Sequence, residues 1–340
     1  MRSWLLASVF VACSLSALGS TSEDISNCGK AEQDRDYEKG IQLCSRVLAN
    51  GKLGASDQAY VYARRGEMYR LTRKYEDAIA DFDNVVRLKP KFAEGYLNRA
   101  LVHMAQGDAD SAMMDFDAAI RAEPDNMASR LNRGYARIGR SRWEDAIADF
   151  GVAIRVQPNA PGGYIGRARA HMGMSQLDLA MADFDSAIRV DSGGITAILA
   201  RGDAFMNQGK TTDAMADFDR AVSIKPDDPI PRNERCFALA RSGKEREAIS
   251  DCDKALSSRP DFANALDSRG YAYFRLGQYA LAIEDYDAAL KANPRLAAAL
   301  YGRGVAKLKL GESSGSNDMA SAEKINPNIA PQMEKLGVVP

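Results

Sequence analysis

The sequence predicts an all-α solenoid, and three residue series that share one period of 34 residues are the observations behind this prediction. Eight arginines follow the period, at Arg65, Arg99, Arg133, Arg167, Arg201, Arg235, Arg269 and Arg303. A proline series follows it with one exception at Ser192, and consists of Pro90, Pro124, Pro158, Pro226, Pro260 and Pro294. An aspartate series follows it as well, at Asp81, Asp115, Asp149, Asp183, Asp217, Asp251 and Asp285. One structural unit, named a copy below, is therefore repeated along most of the chain.

Each copy is predicted to hold two amphipathic helices. In the copy at 59–92, apolar and small residues recur at helical spacing in two stretches joined by a polar turn: Tyr62, Gly66, Tyr69, Ala78, Phe82 and Val85. Pro90 ends the second helix. Later copies keep a small residue in one slot of the first helix, at Ala100, Gly134, Ala168, Gly202 and Gly270, and in one slot of the second helix, at Ala112, Ala146, Ala180, Ala214, Ala248 and Ala282. Because small side chains let two helices approach closely, we expect tight helix pairing in every copy.

Both ends depart from the repeat, as the ends of a solenoid must. The stretch 36–41 mirrors 74–79 at a spacing of 38, which predicts a degenerate first copy. Glycine-containing stretches at 161–163 and 192–194 bracket the fourth full copy and predict a hinge there. The expected organisation is a signal peptide at 1–19, a degenerate capping repeat at 20–58, seven tandem copies at 59–296, and a degenerate repeat with a capping helix at 297–340.

The first residues predict export. Arg2 precedes an apolar run at 4–18, and the small residues Ala17 and Gly19 predict cleavage before Ser20. A transmembrane anchor is the alternative, but the run is short for a bilayer and is interrupted by polar residues. Lipidation at Cys13 is disfavoured because the usual leucine is missing before it. We expect a periplasmic or secreted protein with no integral membrane segment after cleavage.

Composition and motifs argue against nucleic-acid binding and catalysis. The formal net charge of -1 offers no basic face for phosphates. The two histidines, His103 and His171, occupy the slot of Tyr69 and Tyr273 in other copies and are interpreted as packing residues. The Asp-x-Asp pairs are repeated and are interpreted as scaffold, and no phosphate-binding loop or metal-ligand spacing is present. We expect no catalytic residue, no cofactor and no metal.

The stretch 271–294, which reads YAYFRLGQYALAIEDYDAALKANP after Gly270, resembles the tetratricopeptide repeat family. The resemblance extends over about 59–298 in seven copies. It implies a right-handed superhelix of antiparallel helix pairs, in which the first helices line a concave groove that holds peptides or partner proteins. One departure from the family pattern is the arginine series, which stands where the family prefers leucine.

The arginine and aspartate series predict an ion pair in every copy. Each arginine is followed sixteen residues later by an aspartate on the second helix, as in Arg65 and Asp81. A repeated charge-assisted hydrogen bond would then join the two helices. The alternative is a solvated row of charges. Both interpretations make these residues structural.

Four cysteines predict two disulfides. Cys28 with Cys44 and Cys236 with Cys252 have identical spacing and occupy the same two slots of their copies, which face each other. In an exported protein this pattern favours one bond within each copy. The alternative is a reduced cysteine that fills a small apolar slot. A metal site is disfavoured because no histidine or third thiol is near either pair in the sequence.

The family geometry implies which residues line the groove. The candidate partner-binding residues form an apolar, methionine-containing stripe with two asparagines beside it: Leu97, Asn98, Leu101, Met104, Leu131, Asn132, Tyr135, Ile138, Ile165, Met172, Leu199 and Met206. The alternative is that some of them fill the seam between neighbouring copies. Later copies present polar residues at comparable slots, namely Glu234, Arg241, Asp267, Arg275 and Lys309. Chaperone-binding members of the family hold the C-terminal carboxylate of a partner with lysine and arginine at set groove positions. This carboxylate clamp is not supported here, because the positions hold Ala63, Leu97, Leu131, Ile165 and Leu199 and no lysine.

These observations predict a non-catalytic scaffold or adaptor that binds a peptide or partner protein in the groove. One alternative is an accessory subunit of an envelope enzyme or secretion complex. The other is a protein that binds glycans or small molecules, which would use the aromatic residues Tyr135, Phe237, Tyr271 and Phe274.

Overall fold

The computed structural model describes residues 19–50 and 53–340, and these residues form nineteen α-helices and no β-strand. The predicted all-α class is therefore confirmed. The predicted signal peptide lies outside the described residues up to position 18. None of the helices in the described part of the chain is both long and apolar enough to cross a lipid bilayer.

The described residues divide into two compact units, an N-terminal unit that ends at residue 183 and a C-terminal unit of residues 184–340. The described helices of the N-terminal unit are α1 (Gly19–Gln33), α2 (Tyr37–Ala49), α3 (Ala55–Leu71), α4 (Tyr75–Leu88), α5 (Ala93–Gln106), α6 (Ala109–Ala122), α7 (Met127–Gly139), α8 (Trp143–Val156) and α9 (Pro161–Gly173). The division falls within α10 (Leu177–Val190), in the copy whose flanking glycines predicted a hinge.

The C-terminal unit continues the same alternation of first and second helices. Its helices are α11 (Ile195–Asn207), α12 (Thr211–Ile224), α13 (Pro229–Arg241), α14 (Glu245–Ser258), α15 (Ala263–Arg275), α16 (Tyr279–Ala292), α17 (Ala297–Lys309), α18 (Gly315–Ile325) and α19 (Ile329–Glu334). Within each unit a helix packs against the next helix in sequence, and first helices also contact first helices of the adjacent copy, as α13 contacts α15.

A buried aromatic ring forms the centre of most copies. Phe150 of α8 is fully buried, and a Cβ atom at Gly134 of α7 would lie 2.7 Å from its ring. The same arrangement in the C-terminal unit places the ring of Phe218 against Gly202, at 2.7 Å from a Cβ there. A small residue in this slot therefore lets the first helix approach the ring of the second. Leucine or isoleucine there would overfill the interior.

Most first helices end at a residue in the left-handed conformation, which turns the chain into the second helix. Glycine fills this position at Gly107, Gly209, Gly243, Gly277 and Gly311, where φ is between 72° and 84°. This conformation suits glycine, which has no Cβ to clash with the backbone. Four other copies carry a side chain at the same position, namely Arg35, Arg73, Ser141 and Ser175, with φ between 56° and 61°. These four turns are strained.

Candidate functional site

Each periodic arginine forms a bidentate ion pair with the aspartate of its own second helix. Arg65 donates from Nε to Asp81 Oδ2 at 2.8 Å and from Nη2 to Asp81 Oδ1 at 2.7 Å. The same pairing joins Arg99 to Asp115, Arg133 to Asp149, Arg167 to Asp183, Arg201 to Asp217, Arg235 to Asp251, Arg269 to Asp285, and Arg303 to Asp318. The aspartates of the periodic series are buried. The structure therefore shows ion pairs and not a solvated row of charges.

A third bond from the same guanidinium reaches the preceding copy. Nη1 of Arg133 donates to Oδ1 of Asp117 at 2.6 Å, and Asp117 lies on the second helix before it. Equivalent bonds join Arg99 to Asp83, Arg201 to Asp185, Arg235 to Asp219, Arg269 to Asp253, and Arg303 to Asp287. Arg65 donates instead to Ser45 Oγ at 2.8 Å. We call this three-bond arrangement the arginine clamp, because one side chain holds three helices.

The clamp is incomplete at one joint of the N-terminal unit. In most copies the second aspartate of Asp-x-Asp accepts the third bond of the clamp. Gly151 takes this position in α8, so α8 offers no carboxylate there to Nη1 of Arg167. Arg167 keeps both bonds to Asp183, at 2.8 and 2.7 Å. Its side chain is 30% exposed, against 12% for Arg133 in a complete clamp. The contact between α8 and α9 therefore lacks the arginine–aspartate bond that joins the corresponding helices of the adjacent copies.

The slot four residues after each clamp arginine faces the buried aspartate. His103 Nε2 lies 3.8 Å from Asp115 Oδ2, and His171 Nε2 lies 3.9 Å from Asp183 Oδ2. Both histidines thus lie over an ion pair, which agrees with their interpretation as packing residues. In the described residues, no group of three or more His, Cys, Asp or Glu side chains is arranged to hold a metal ion.

Arg137 occupies the same slot in the third full copy and adds a second guanidinium to one carboxylate. Its Nη1 donates to Asp149 Oδ2 at 2.6 Å, and Arg130 Nη1 donates to Asp149 Oδ1 at 3.2 Å. Together with Arg133, three arginines surround one aspartate. Burial of Arg137 lowers the pKa of its guanidinium. The carboxylate is committed to structural bonds.

Both cysteine pairs are bonded in the structure. The Cα atoms of Cys28 and Cys44 are 5.1 Å apart, and those of Cys236 and Cys252 are 5.6 Å apart, within the usual range for disulfides. All four side chains are buried. Each pair takes the two slots that a small residue and an aromatic ring fill in other copies. A covalent bond therefore replaces the central ring in these two copies.

Half of the predicted groove residues are buried in the chain itself. Leu97 and Leu101 belong to one hydrophobic cluster with Ala136 of the next copy, as expected for residues that fill the seam. The buried members of the predicted set are Leu97, Asn98, Leu101, Ile165, Leu199 and Met206. Side chains so deeply buried offer little area to a partner.

The other predicted residues keep part of their surface exposed, and all of them lie in the N-terminal unit: Met104, Leu131, Asn132, Tyr135, Ile138 and Met172. The ring of Tyr135 packs edge-on against Phe150, with centroids 5.0 Å apart. Its hydroxyl accepts a hydrogen bond from Arg169, while burial raises its pKa. Arg169 was absent from the predicted set, although it lies two residues after a clamp arginine, as Tyr135 does.

Asn132, a predicted groove residue, uses its side-chain amide within its own helix. Its Nδ2 donates to the Ala128 carbonyl at 2.8 Å, within its own helix. Its Oδ1 is buried without a partner. A hydrogen bond from this amide to a partner would therefore need a different side-chain rotamer.

In the C-terminal unit the comparable face is largely closed. Tyr271 and Phe274, two of the four aromatic residues that a glycan would need, are buried. Ser268 Oγ donates to Asn233 Oδ1 at 2.9 Å between adjacent first helices. Burial raises the pKa of Asp267 to about 7. This region therefore provides few exposed aromatic faces for a sugar.

Models of the tetratricopeptide repeat match residues 66–107, 97–163, 165–229 and 270–311, which together cover more than half of the chain. The chain belongs to the tetratricopeptide repeat family. The tetratricopeptide fold is typical of protein–protein interaction scaffolds, and proteins of this family are generally non-catalytic.

Solved tetratricopeptide structures share the fold at low sequence identity. A tetratricopeptide repeat protein from Parabacteroides merdae is 20% identical, with a TM-score of 0.56 over 72% of this chain and 98% of that one. A chain of the APC/C hetero-tetramer Cut9–Hcn1 is 15% identical, with a TM-score of 0.55 over 93% of this chain and 62% of that one. These likenesses show the fold alone.

Part of the chain is similar to heat shock protein STI1 of Saccharomyces cerevisiae. The two are 26% identical over 76 residues, which is 22% of this chain and 12% of the yeast protein. The chain thus matches only a small part of that protein's length.

Proposed function

We propose that this protein is a non-catalytic scaffold that binds a segment of a partner protein along the first helices of residues 93–183. The observation that carries the proposal is the set of partly exposed apolar side chains on α5, α7 and α9: Met104, Leu131, Tyr135, Ile138 and Met172. Leu97 and Leu101 of the predicted set are buried in a hydrophobic cluster of the same unit and belong to its core. The proposed surface is therefore narrower than the sequence predicted.

The chemistry of this stripe suits a protein segment with apolar side chains. Met104 and Met172 are flexible and polarisable, so they adapt to differently shaped side chains. Tyr135 adds a rigid ring, and Arg169 places a positive charge beside its hydroxyl. An apolar segment that carries one acidic residue matches this combination.

The arginine clamp supports the proposal by preorganising the stripe. Arg99 joins α5 to α4 and α6, and Arg133 joins α7 to α6 and α8. Such bonds fix the spacing of successive first helices before the partner arrives. Less conformational entropy is then lost on binding.

Substitution of the exposed stripe tests the proposal. The full chain carrying Met104→Glu and Met172→Glu is compared with wild type as bait for proteins from the native source, identified by mass spectrometry. Leu101 and Tyr135 are left unchanged, because Leu101 is buried and the ring of Tyr135 packs against Phe150, so a charge at either position would destabilise the copy. We expect the variant to lose the partner while its circular dichroism and melting are retained.

A matched control uses exposed apolar residues on second helices. Met114→Glu and Leu179→Glu introduce the same charge at side chains that are 72% and 53% exposed. We expect this control to capture the same proteins as wild type. If the stripe variant captures them equally well, the surface assignment is wrong.

We also propose that the protein is exported. The apolar N-terminal run and the two disulfides support this, because disulfides persist in oxidising compartments. Cell fractionation with N-terminal sequencing is the test, with Ser20 as the expected first residue. An unprocessed, reduced protein in the cytoplasm would contradict the proposal.

A further inference from the structure

The C-terminal segment reaches beyond the helix pair that it was predicted to cap. The sequence predicted a capping helix within 297–340; this helix is α19, which ends at Glu334, and the chain then turns back toward α15. Tyr271 of α15 donates from its hydroxyl to the carbonyl oxygen of Leu336 at 2.9 Å. Two first helices, α15 and α17, therefore contact residues 329–340, which we call the C-terminal segment.

The turn after α19 fixes how the segment docks. Gly337 adopts φ of 76°, and the Val338 amide donates to the Met333 carbonyl at 3.0 Å. This is the usual hydrogen-bond pattern of a helix that ends at a left-handed glycine, and it brings the residue after the glycine back onto the last helical turn. Val338 is consequently fully buried, in the same hydrophobic cluster as Met333 and Tyr271.

The site under this segment corresponds in register to the exposed stripe of the N-terminal unit. Tyr271 lies two residues after the clamp arginine Arg269, as Tyr135 lies two residues after Arg133. Tyr135 keeps part of its surface exposed, whereas Tyr271 is buried and its hydroxyl is used by Leu336. The C-terminal segment thus covers the position that is open in the earlier copy.

The contacts define what kind of segment fits. The carbonyl oxygen of Leu336 accepts a hydrogen bond from Tyr271. Gly337 has no side chain, and a Cβ atom there would lie 3.6 Å from Arg275 Nη1. The apolar side chain of Val338 fills the hydrophobic cluster. Glu245 holds Arg275 in place through an ion pair of 3.4 Å. The occupant is a short amphipathic helix that ends at a glycine followed by an apolar residue.

We propose that residues 329–340 are a tethered ligand of the C-terminal unit, and that a partner helix with the same apolar–glycine–apolar ending displaces them. A helix of six residues has little stability alone, so the segment stays docked through its side chains and one hydrogen bond. As part of the chain it competes at an effective concentration of roughly millimolar. A partner helix must therefore displace the tethered segment before it can bind, so the chain inhibits its own binding site. The inference concerns a different surface from that of the proposed function.

A pair of adjacent valines allows a matched test in the full chain. Val338 is 0% exposed and Val339 is 44% exposed, so Val338→Asp undocks the end of the segment and Val339→Asp leaves it docked. A fluorescein-labelled peptide of residues 329–340 is titrated into wild type and both variants, and binding is followed by anisotropy. We expect the Val338→Asp chain to bind the peptide about ten-fold or more tightly than wild type and the Val339→Asp chain.

Two further comparisons locate the contact. Tyr271→Phe added to the Val338→Asp chain removes one hydrogen-bond donor and is expected to weaken peptide binding about five-fold. A peptide that itself carries Val338→Asp is expected not to bind. Equal binding by wild type and the Val338→Asp chain, or none by either, would overturn the proposal.

Hydrogen exchange of the wild-type chain provides a second measurement that needs no substitution. Excess unlabelled peptide is expected to accelerate exchange at the amides of Gly337 and Val338, because the tethered segment is released. If exchange there is unchanged at saturating peptide, the segment is a permanent cap. If Val338→Asp fails to fold, the segment is required by the fold, which also overturns the proposal.

Discussion

Replacing Gly151 by aspartate restores the carboxylate that most copies place behind a clamp arginine. The position is in the interior of α8, and a Cβ there meets no atom within 4 Å, so the side chain fits without repacking. Arg167 Nη1 then gains the partner that Arg133 has in Asp117. We expect α8 and α9 to open less often in the Gly151→Asp chain.

The magnitude follows from the exposure of the pair. Asp117 and its equivalents are about half exposed, so the new ion pair should contribute about 0.5–1 kcal/mol and not the larger value of a buried pair. Any side chain in place of a helical glycine also stabilises the helix, which would confuse the result. Gly151→Asn is the matched control, because asparagine and aspartate have similar helix propensities.

Hydrogen exchange of the amides in α8 and α9 is the assay, since it reports local opening in a repeat array that need not unfold in one step. The Gly151→Asp chain should exchange about two- to five-fold more slowly there than the Gly151→Asn chain. About 1 M salt should reduce the difference by screening. Equal protection in the two variants at low salt would show that the third bond of the clamp contributes nothing.

Three further predictions concern turns, disulfides and pH. Ser141→Gly should raise stability by about 1 kcal/mol in thermal unfolding, because Ser141 has φ of 56°, and Gly107→Ala should lower it at the equivalent turn. Cys236→Ala with Cys252→Ala should cost about 3 kcal/mol in urea unfolding under oxidising conditions, and the variant and wild type should be equally stable when both are reduced. Burial raises the pKa of Asp267 from 3.8 to about 7, so its favourable contribution is present at low pH and is lost as pH rises from about 4 to 7. Asp267→Asn should remove this pH dependence and stabilise the protein by roughly 1–2 kcal/mol at pH 8, less than the full shift implies because the side chain keeps some solvent contact. An unchanged pH profile in urea unfolding would contradict the last prediction.

The repeat, its helices and the ion pair within each copy could be predicted because they depend on residues at fixed spacing in one chain segment. Arg65 and Asp81 recur together, and their pairing needs only the fold of one copy. The third bond was missed because it joins different copies. Its signal was present in the sequence as the second aspartate of each Asp-x-Asp. This aspartate recurs at the same period in the second helices of the full copies, and only Gly151 interrupts the series.

The groove residues were predicted less well. A periodic position indicates on which face of a helix a residue lies, but not how deeply that residue is buried. Leu97 and Leu131 occupy the same slot, yet the first is buried in a seam and the second is partly exposed. The difference depends on how closely the neighbouring first helix packs. The contact between Tyr271 and Leu336 spans 65 residues and depends on the turn at Gly337, so no local pattern could indicate it.

The two disulfides change where a linear array can begin to come apart. Repeat arrays usually fray from their ends, because a terminal copy has one neighbour and not two. Here the N-terminal copy is closed by Cys28–Cys44, so α1 and α2 remain a covalent hairpin even when they detach from α3. Cys236–Cys252 places a second such hairpin inside the C-terminal unit. If a pulling force unfolds the helices around it, α13 and α14 therefore stay linked, and the neighbouring copies can refold against this pair.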